Sequence, residues 1–486
     1  MKSLYSVFFE GFLGGFAAFL MPCIYPMLPL TVSFFSKQTG SRSSAIRAAL
    51  VYGLSIIVIY VLFGALITAV LGPSALNGLA SSAGFNLFVF LLLVTFAISF
   101  FGVFEINLPS SLVNKVDEGS GAKSLLGIFL MAFTLALVSF SCTAGIIGYL
   151  LVEAVRSKSF FGLILGMSGF SVALALPFTL AALFPGLLSR LPKSGSWLNS
   201  VKVVLGFLEL ALSLKFFSTF DLVYHAGILG RETFLSLWIV IFTFLGLYLL
   251  GKIKLSHDAT LEHVSVPRLL FALASFAFAV YMVPGLWGAP LKILSGIAPP
   301  METQEFSLNP VAGPNISQSQ GMTQLRLPPD RLYVNLFKEP LGLEGFFDLK
   351  EAAAYSKAVK KPLFIDFTGH SCVNCRKMEQ TVWVDPAVKY VLAEDYILVS
   401  LYVDERTELP AGQQYTSKQF GNKVRTIGNL NSDLQANLFN TNSQPYYVIA
   451  GEDLKPLVKP LQFDSDIGRY LAFLQSGRKA YNEKFK

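Results

Sequence analysis

Charge is scarce in this chain. Only 14% of its 486 residues are Asp, Glu, Lys or Arg, where a soluble globular protein carries roughly a quarter. With 53% hydrophobic residues and a mean hydropathy of +0.56, that shortage excludes an all-soluble protein and places much of the chain in lipid. Runs of like charge are also missing. The net charge of +7 comes from Lys and Arg scattered over loops, a pattern of membrane topology rather than of nucleic-acid binding. Cysteine is scarcer still. Cys23, Cys142, Cys372 and Cys375 are the whole complement, too few for a disulfide scaffold and better suited to redox chemistry.

The N-terminus lacks what a cleaved leader needs. Lys2 is its single basic residue, and no small-residue cleavage site follows a compact apolar core. Met21-Pro22 ahead of Cys23 also argues against a lipoprotein signal. The first apolar segment is therefore expected to remain as a span.

A spanning helix needs ~20 mostly apolar residues. About eight segments qualify, near 7–35, 46–72, 85–104, 124–152, 159–185, 199–219, 233–251 and 267–289. The first carries Pro22, Pro26 and Pro29, and the fourth carries Ser141-Cys142-Thr143-Ala144-Gly145. Basic residues cluster in alternate loops: Lys37, Arg42 and Arg47, then Lys115 and Lys123, Arg190 and Lys193, and Lys252, Lys254 and Arg268. Arg156 and Lys158 are a mild exception. The positive-inside rule then puts both termini on the non-cytoplasmic side. The membrane domain covers 1–289.

Residues 290–345 read as a linker. Pro299, Pro300, Pro310, Pro314, Pro328 and Pro329 recur among Gly, Ser, Asn and Gln without an apolar period, so an extended tether is expected. Residues 346–486 read as a soluble α/β domain. A helix over Phe347–Val359 precedes a strand over Pro362–Phe367, and a C-x-x-C opens the next helix. Strands at Tyr396–Val403 and Tyr446–Ala450 follow, then a helix near Ser465–Gln475. This order predicts a thioredoxin-like sheet.

The dithiol carries the strongest chemical signal. Cys372 begins a helix directly after a strand, where backbone N–H groups and the helix dipole stabilise a thiolate. The thiolate is the species that attacks a disulfide, and Cys375, one turn on, is placed to resolve the product. The alternative, half a zinc site, needs two further ligands, and His370 is the one histidine close by. Neither a resident metal nor a bound cofactor is expected.

Asp366 interrupts an apolar strand six residues before Cys372. It is either a turn-facing surface acid or a buried proton acceptor whose pKa is raised towards working pH. Glu379 shares a helical face with Cys375 and either assists or is a solvated charge. Pro445, directly before a strand, is expected to form a cis-proline loop facing the dithiol. Cys23 and Cys142 are each either a small buried hydrophobe or a functional thiol at a broken helix. Unwound backbone at membrane depth survives only where it packs in protein or lines a cavity. Spans one to three and four to six would then form an inverted repeat with one cysteine from each half.

Met21-Pro-Cys-Ile-Tyr-Pro-Met-Leu-Pro29, Ser141-Cys-Thr143 and Thr368–Glu379 together resemble the DsbD-type thiol:disulfide interchange proteins, over nearly the whole chain. The resemblance implies a CcdA-like membrane core of eight spans and a C-terminal thioredoxin-like domain in a bacterial inner membrane. It implies redox disulfides Cys23–Cys142 and Cys372–Cys375. It implies protein-disulfide reductase activity, with cytoplasmic thioredoxin as donor and periplasmic thiol-disulfide proteins as acceptors. NADPH is then the ultimate source, through thioredoxin reductase, and disulfide isomerisation and cytochrome c maturation are the processes served. The chain starts at the first span, so the family's N-terminal domain is expected to be absent and the final acceptor to be a separate protein or to be reached directly by the C-terminal domain. Two rival readings are a transporter with a regulatory thioredoxin-like domain and a membrane-anchored binding module. The first predicts ionisable residues within the spans, where Glu10 and Glu209 are the main candidates. The second leaves eight spans, two of them broken, without a purpose.

Overall fold

The computed structural model describes residues 4–19, 42–71, 82–104, 160–183, 195–255, 263–306, 327–417 and 423–485, with a few single positions between them. The chain forms two compact units, Met1–Ser213 with Leu247–Leu270, and Leu214–Gly246 with Phe271–Lys486.

Among the described residues, seven apolar helices overlap seven of the eight expected segments, the first of them only up to Phe19: α1 (Leu4–Phe19), α2 (Arg42–Leu71), α3 (Ala83–Phe100), α4 (Phe160–Leu183), α5 (Gly195–Tyr224), α6 (Arg231–Leu249) and α7 (Val266–Met282). The segment at 124–152 falls almost wholly outside the described residues, as do Cys23 and Cys142. Among the described residues, four stretches are long and apolar enough to cross a bilayer: Ala83–Phe100, Asn199–Tyr224, Arg231–Leu249 and Val266–Trp287. In the first unit α4 packs against both α1 and α2. The crossing with α1 is made by glycine. Gly11 rests on the backbone of Gly166, Gly15 on Phe170, and Gly169 on Phe8. With no side chains between them the backbones approach closely, the usual device of helices that associate in lipid.

The second unit holds a sheet with helices on both faces. Strand β1 (Leu363–Thr368) pairs in parallel with β2 (Ile397–Tyr402) and antiparallel with β5 (Tyr446–Ala450). Single bridges extend it at both edges, Phe346 beside Val399 and Leu461 beside Tyr447. All three strands are buried throughout, which is why they read as continuous apolar runs rather than alternating ones. One face packs Phe364, Leu398 and Tyr447 against Met378, Val382, Trp383 and Tyr470. The other packs Ile365, Phe367 and Val399 against Leu349 and Ala352. Five helices surround the sheet: α8 (Leu349–Val359), α9 (Val373–Thr381), α10 (Pro386–Asp395), α11 (Ile427–Phe439) and α12 (Ile467–Phe485). A short hairpin, β3 (Tyr415–Thr416) with β4 (Lys423–Val424), lies apart from the sheet.

The expected extended tether over 290–345 is corrected at both ends. Residues 290–306 form short 3₁₀ turns with Leu291, Leu294 and Ser295 buried. Arg231 Nη1 donates to Pro299 O at 2.6 Å, and Glu232 Oε1 accepts from the backbone N–H groups of Glu305 and Phe306. Residues 327–345 lie against the sheet through Phe337 and Leu343. A few apolar anchors outweigh the Pro and Gly between them, because each buried side chain contributes about 1.5–3 kcal/mol. Only 307–326 of that segment lies outside the described residues.

Candidate functional site

The first strand delivers the dithiol. β1 ends at Thr368, and the loop Gly369-His370-Ser371 leads into α9. Asp404, just past β2, shapes that loop. Its Oδ1 accepts from the His370 N–H at 2.8 Å, and its Oδ2 accepts from the Ser371 N–H at 2.9 Å and the Ser371 hydroxyl at 2.7 Å. Cys372 is then the N-cap of α9, and its Sγ accepts from the Cys375 N–H at 3.1 Å. Cys372 and Cys375 form a disulfide with Cα atoms 5.3 Å apart. Cys372 is half-buried, whereas Cys375 is 1% exposed. This places the accessible sulfur at a helix N-terminus, where a thiolate is stabilised, and its partner behind it.

Asp366 lies on the same face of β1 as Phe364, the face covered by Met378 of α9 and by Val382 just past that helix. It is 3% exposed, and its Oδ1 has no hydrogen-bonding protein partner among the described residues. Burial pushes its carboxyl up to about 7, with the Arg376 guanidinium pulling the other way. A carboxyl titrating there can hold or release a proton near neutral pH.

Glu379 is buried and pairs with Arg376, Nη2 to Oε1 at 2.8 Å. Burial raises the Glu379 carboxyl above its ordinary value, and Arg376 opposes that rise. Its role is thus that of a buried ion pair one turn behind Cys375. Arg376 also reaches Thr368 Oγ1 at 3.3 Å and interacts electrostatically with Glu302 and Asp366. Gln444–Pro445 is a cis peptide. β5 begins opposite Phe367, so Pro445 stands at the sheet end where the dithiol loop starts.

Two residues, Glu405 and His225, join His370 in this neighbourhood without any sequence signal. Glu405 Oε2 lies 2.8 Å from His370 Nε2 and 3.0 Å from His225 Nε2. His225 follows α5 directly and has a left-handed backbone, φ 50°. Arg376 did leave a trace, its i,i+3 spacing to Glu379 immediately after the C-x-x-C.

Fold and dithiol together define a thioredoxin-like redox domain carried by a helical membrane domain. Comparison with known proteins gives the same two parts. Residues 4–220 match the family described as cytochrome C biogenesis protein transmembrane domain, and residues 345–420 match the thioredoxin-like family. The chain is similar to the thiol:disulfide interchange protein DsbD of Vibrio vulnificus, 26% identical over 78% of this chain and 56% of the relative. The Haemophilus influenzae protein of the same name is 26% identical over 78% and 58%. A second H. influenzae strain gives 32% identity over 42% of this chain and 35% of the relative. The chain therefore combines a DsbD-type membrane domain with a thioredoxin-like domain, and it spans a little over half the length of the curated relatives that it matches most extensively.

Proposed function

We propose that this chain is a protein-disulfide reductase that carries electrons across a bacterial inner membrane by successive thiol–disulfide exchange. The observation that carries the reading is the Cys372–Cys375 disulfide at the start of α9, with Asp366 buried on the sheet face beneath that helix.

Cytoplasmic thioredoxin, itself kept reduced by NADPH through thioredoxin reductase, is the donor. It reduces a Cys23–Cys142 disulfide in the membrane domain. A thiolate of that pair then attacks Cys372 Sγ. The new sulfur–sulfur bond forms as the Cys372–Cys375 bond breaks, and Cys375 leaves as a thiolate that takes up a proton. The second membrane thiol resolves the mixed disulfide, so two electrons and two protons have moved to the Cys372–Cys375 pair. Asp366 is the proton carrier at Cys375. Attack by Cys372 on a periplasmic disulfide passes the pair of electrons on, and direction follows the reduction potentials. Periplasmic disulfide isomerisation and cytochrome c maturation are the processes it would serve. The alternation of basic loops supports periplasmic termini and a periplasmic redox domain. The transporter reading has in its favour only the buried Glu209 within α5.

A Cys375→Ser chain tests this. Cys372 should accumulate in mixed disulfides that dithiothreitol releases, with a membrane cysteine on one side and periplasmic proteins on the other. A Cys375→Ser chain without such adducts, together with a wild-type Cys372–Cys375 pair that stays oxidised when reduced thioredoxin is supplied to the cytoplasmic face, would refute the proposal.

A further inference from the structure

We infer that His225, His370 and Glu405 form a binding site for a divalent transition-metal ion of the zinc class. The three side chains offer two imidazole nitrogens and a carboxylate oxygen, and these ligand atoms all lie within 4.8 Å of one another. Both Nε2 atoms converge on the same oxygen, Glu405 Oε2, at 3.0 and 2.8 Å. Tetrahedral zinc, with bonds of about 2.0–2.1 Å to nitrogen and oxygen, holds its donors roughly 3.4 Å apart. Each imidazole nitrogen needs to move away from Glu405 Oε2 by only roughly half an ångström to reach that spacing. Two histidines and one carboxylate leave the fourth position to water, as in three-ligand zinc sites.

The donors are held in advance. Glu405 Oε1 accepts from the backbone N–H groups of Arg406 and Thr407 and from the Thr407 hydroxyl, at 2.9, 2.8 and 2.7 Å. That grip fixes the carboxylate and leaves Oε2 for the ion. The His370 ring stacks on Tyr402, centroids 4.5 Å apart, and on Phe337 at 6.0 Å. The His225 ring stands at 88° to that of His370, so the two nitrogens approach one point without their rings colliding. Outer contacts of this kind orient ligands and strengthen a metal site. The His225 side chain is one-third exposed, which gives the ion an entrance. By contrast, the carboxylates around Arg376 already have their cation.

Such an ion would tie two distant parts of the chain. His225 belongs to the loop after α5, and His370 lies two residues before Cys372. A loaded site therefore anchors the dithiol loop to the loop after α5.

The test uses the full chain in detergent with its disulfides formed, so that thiolates do not compete as ligands. Cobalt(II) is the probe, read by its visible d–d absorption and displaced by zinc. One equivalent should bind. His225→Ala should weaken binding by more than the about 10–100-fold typical of an outer-contact change, and Glu405→Gln should do the same. His263→Ala, at an exposed histidine outside the trio, should leave it unchanged. His225 lies outside the sheet, so its variant keeps the redox domain folded, checked by reversible reduction of Cys372–Cys375. Wild-type protein without a cobalt band, or a band that survives His225→Ala, overturns the inference. In either case the trio is a hydrogen-bonded bridge and nothing more.

Discussion

Asp366 shows how one side chain can set a pH dependence. Its carboxyl is raised by burial from 3.8 to about 7. Between those values the folded protein keeps a proton that the unfolded chain has lost. Stability is therefore full below pH ~4 and falls as the pH rises towards 7, by about 4 kcal/mol if the whole shift is expressed. Asp366→Asn removes the titrating group. The urea midpoint of the variant should fall less steeply than that of wild type between pH 4 and 7, the remaining slope coming from Glu339 and Glu379, whose carboxyls burial also raises. Its rate of exchange with a small dithiol should also lose the inflection near pH 7. Parallel pH profiles for both proteins would remove Asp366 from proton transfer. This residue is legible in the sequence because an acid inside Leu-Phe-Ile-Asp-Phe has to be accounted for. His225 is not legible. It stands 180 residues from Glu405, and a lone histidine after an apolar helix carries no pattern.

Legibility at the level of elements follows the hydrophobic pattern. β1, β2 and β5 are visible as apolar runs because helices cover both faces of their sheet. α11 is hidden, since Ile427-Gly-Asn-Leu-Asn-Ser-Asp is poor in helix formers. Tertiary bonds override that composition: Asn431 Nδ2 donates to Tyr402 O at 3.0 Å, and Gln435 Nε2 donates to Ser443 O at 2.9 Å. α12 runs ten residues past its expected end at Gln475, because Gly477 and Tyr481 continue its buried face through a charged stretch. In the membrane domain, the spacing Gly11-x-x-x-Gly15 marks a close helix crossing that hydropathy alone does not reveal. Gly11→Ile would drive a side chain into the Gly166 backbone. It should destabilise the α1–α4 contact by about 1–3 kcal/mol, the usual cost of overpacking, seen as a lower melting temperature in detergent. Gly84→Ala at the start of α3, where a Cβ meets nothing within 4 Å, is the control and should change little. Equal melting temperatures for Gly11→Ile and wild type would mean that α1 does not need this crossing.

At the scale of the whole molecule, the question is how one dithiol serves two partners. On the proposed pathway donor and acceptor both need the half-buried sulfur of Cys372, so they cannot occupy it together. The redox domain must therefore engage them in turn. Packing of 290–306 and 327–345 leaves 21 peptide steps between Phe306 and Leu327 as the connection. A chain of that length spans at most roughly 70 Å. Its physical contribution is effective concentration, about millimolar for short connections, without any added contact. Cleavage at a protease site introduced within 307–326 should then slow electron transfer from the membrane domain to Cys372–Cys375. Adding the released domain back at about millimolar concentration should restore it. Redox-state labelling of Cys372 after a pulse of reduced thioredoxin gives the rate. Unchanged transfer after cleavage would mean that the two parts stay bound through their own surfaces. Transfer that is lost and stays lost at every added concentration, while both fragments remain folded, would mean that the connecting segment takes part directly in the exchange.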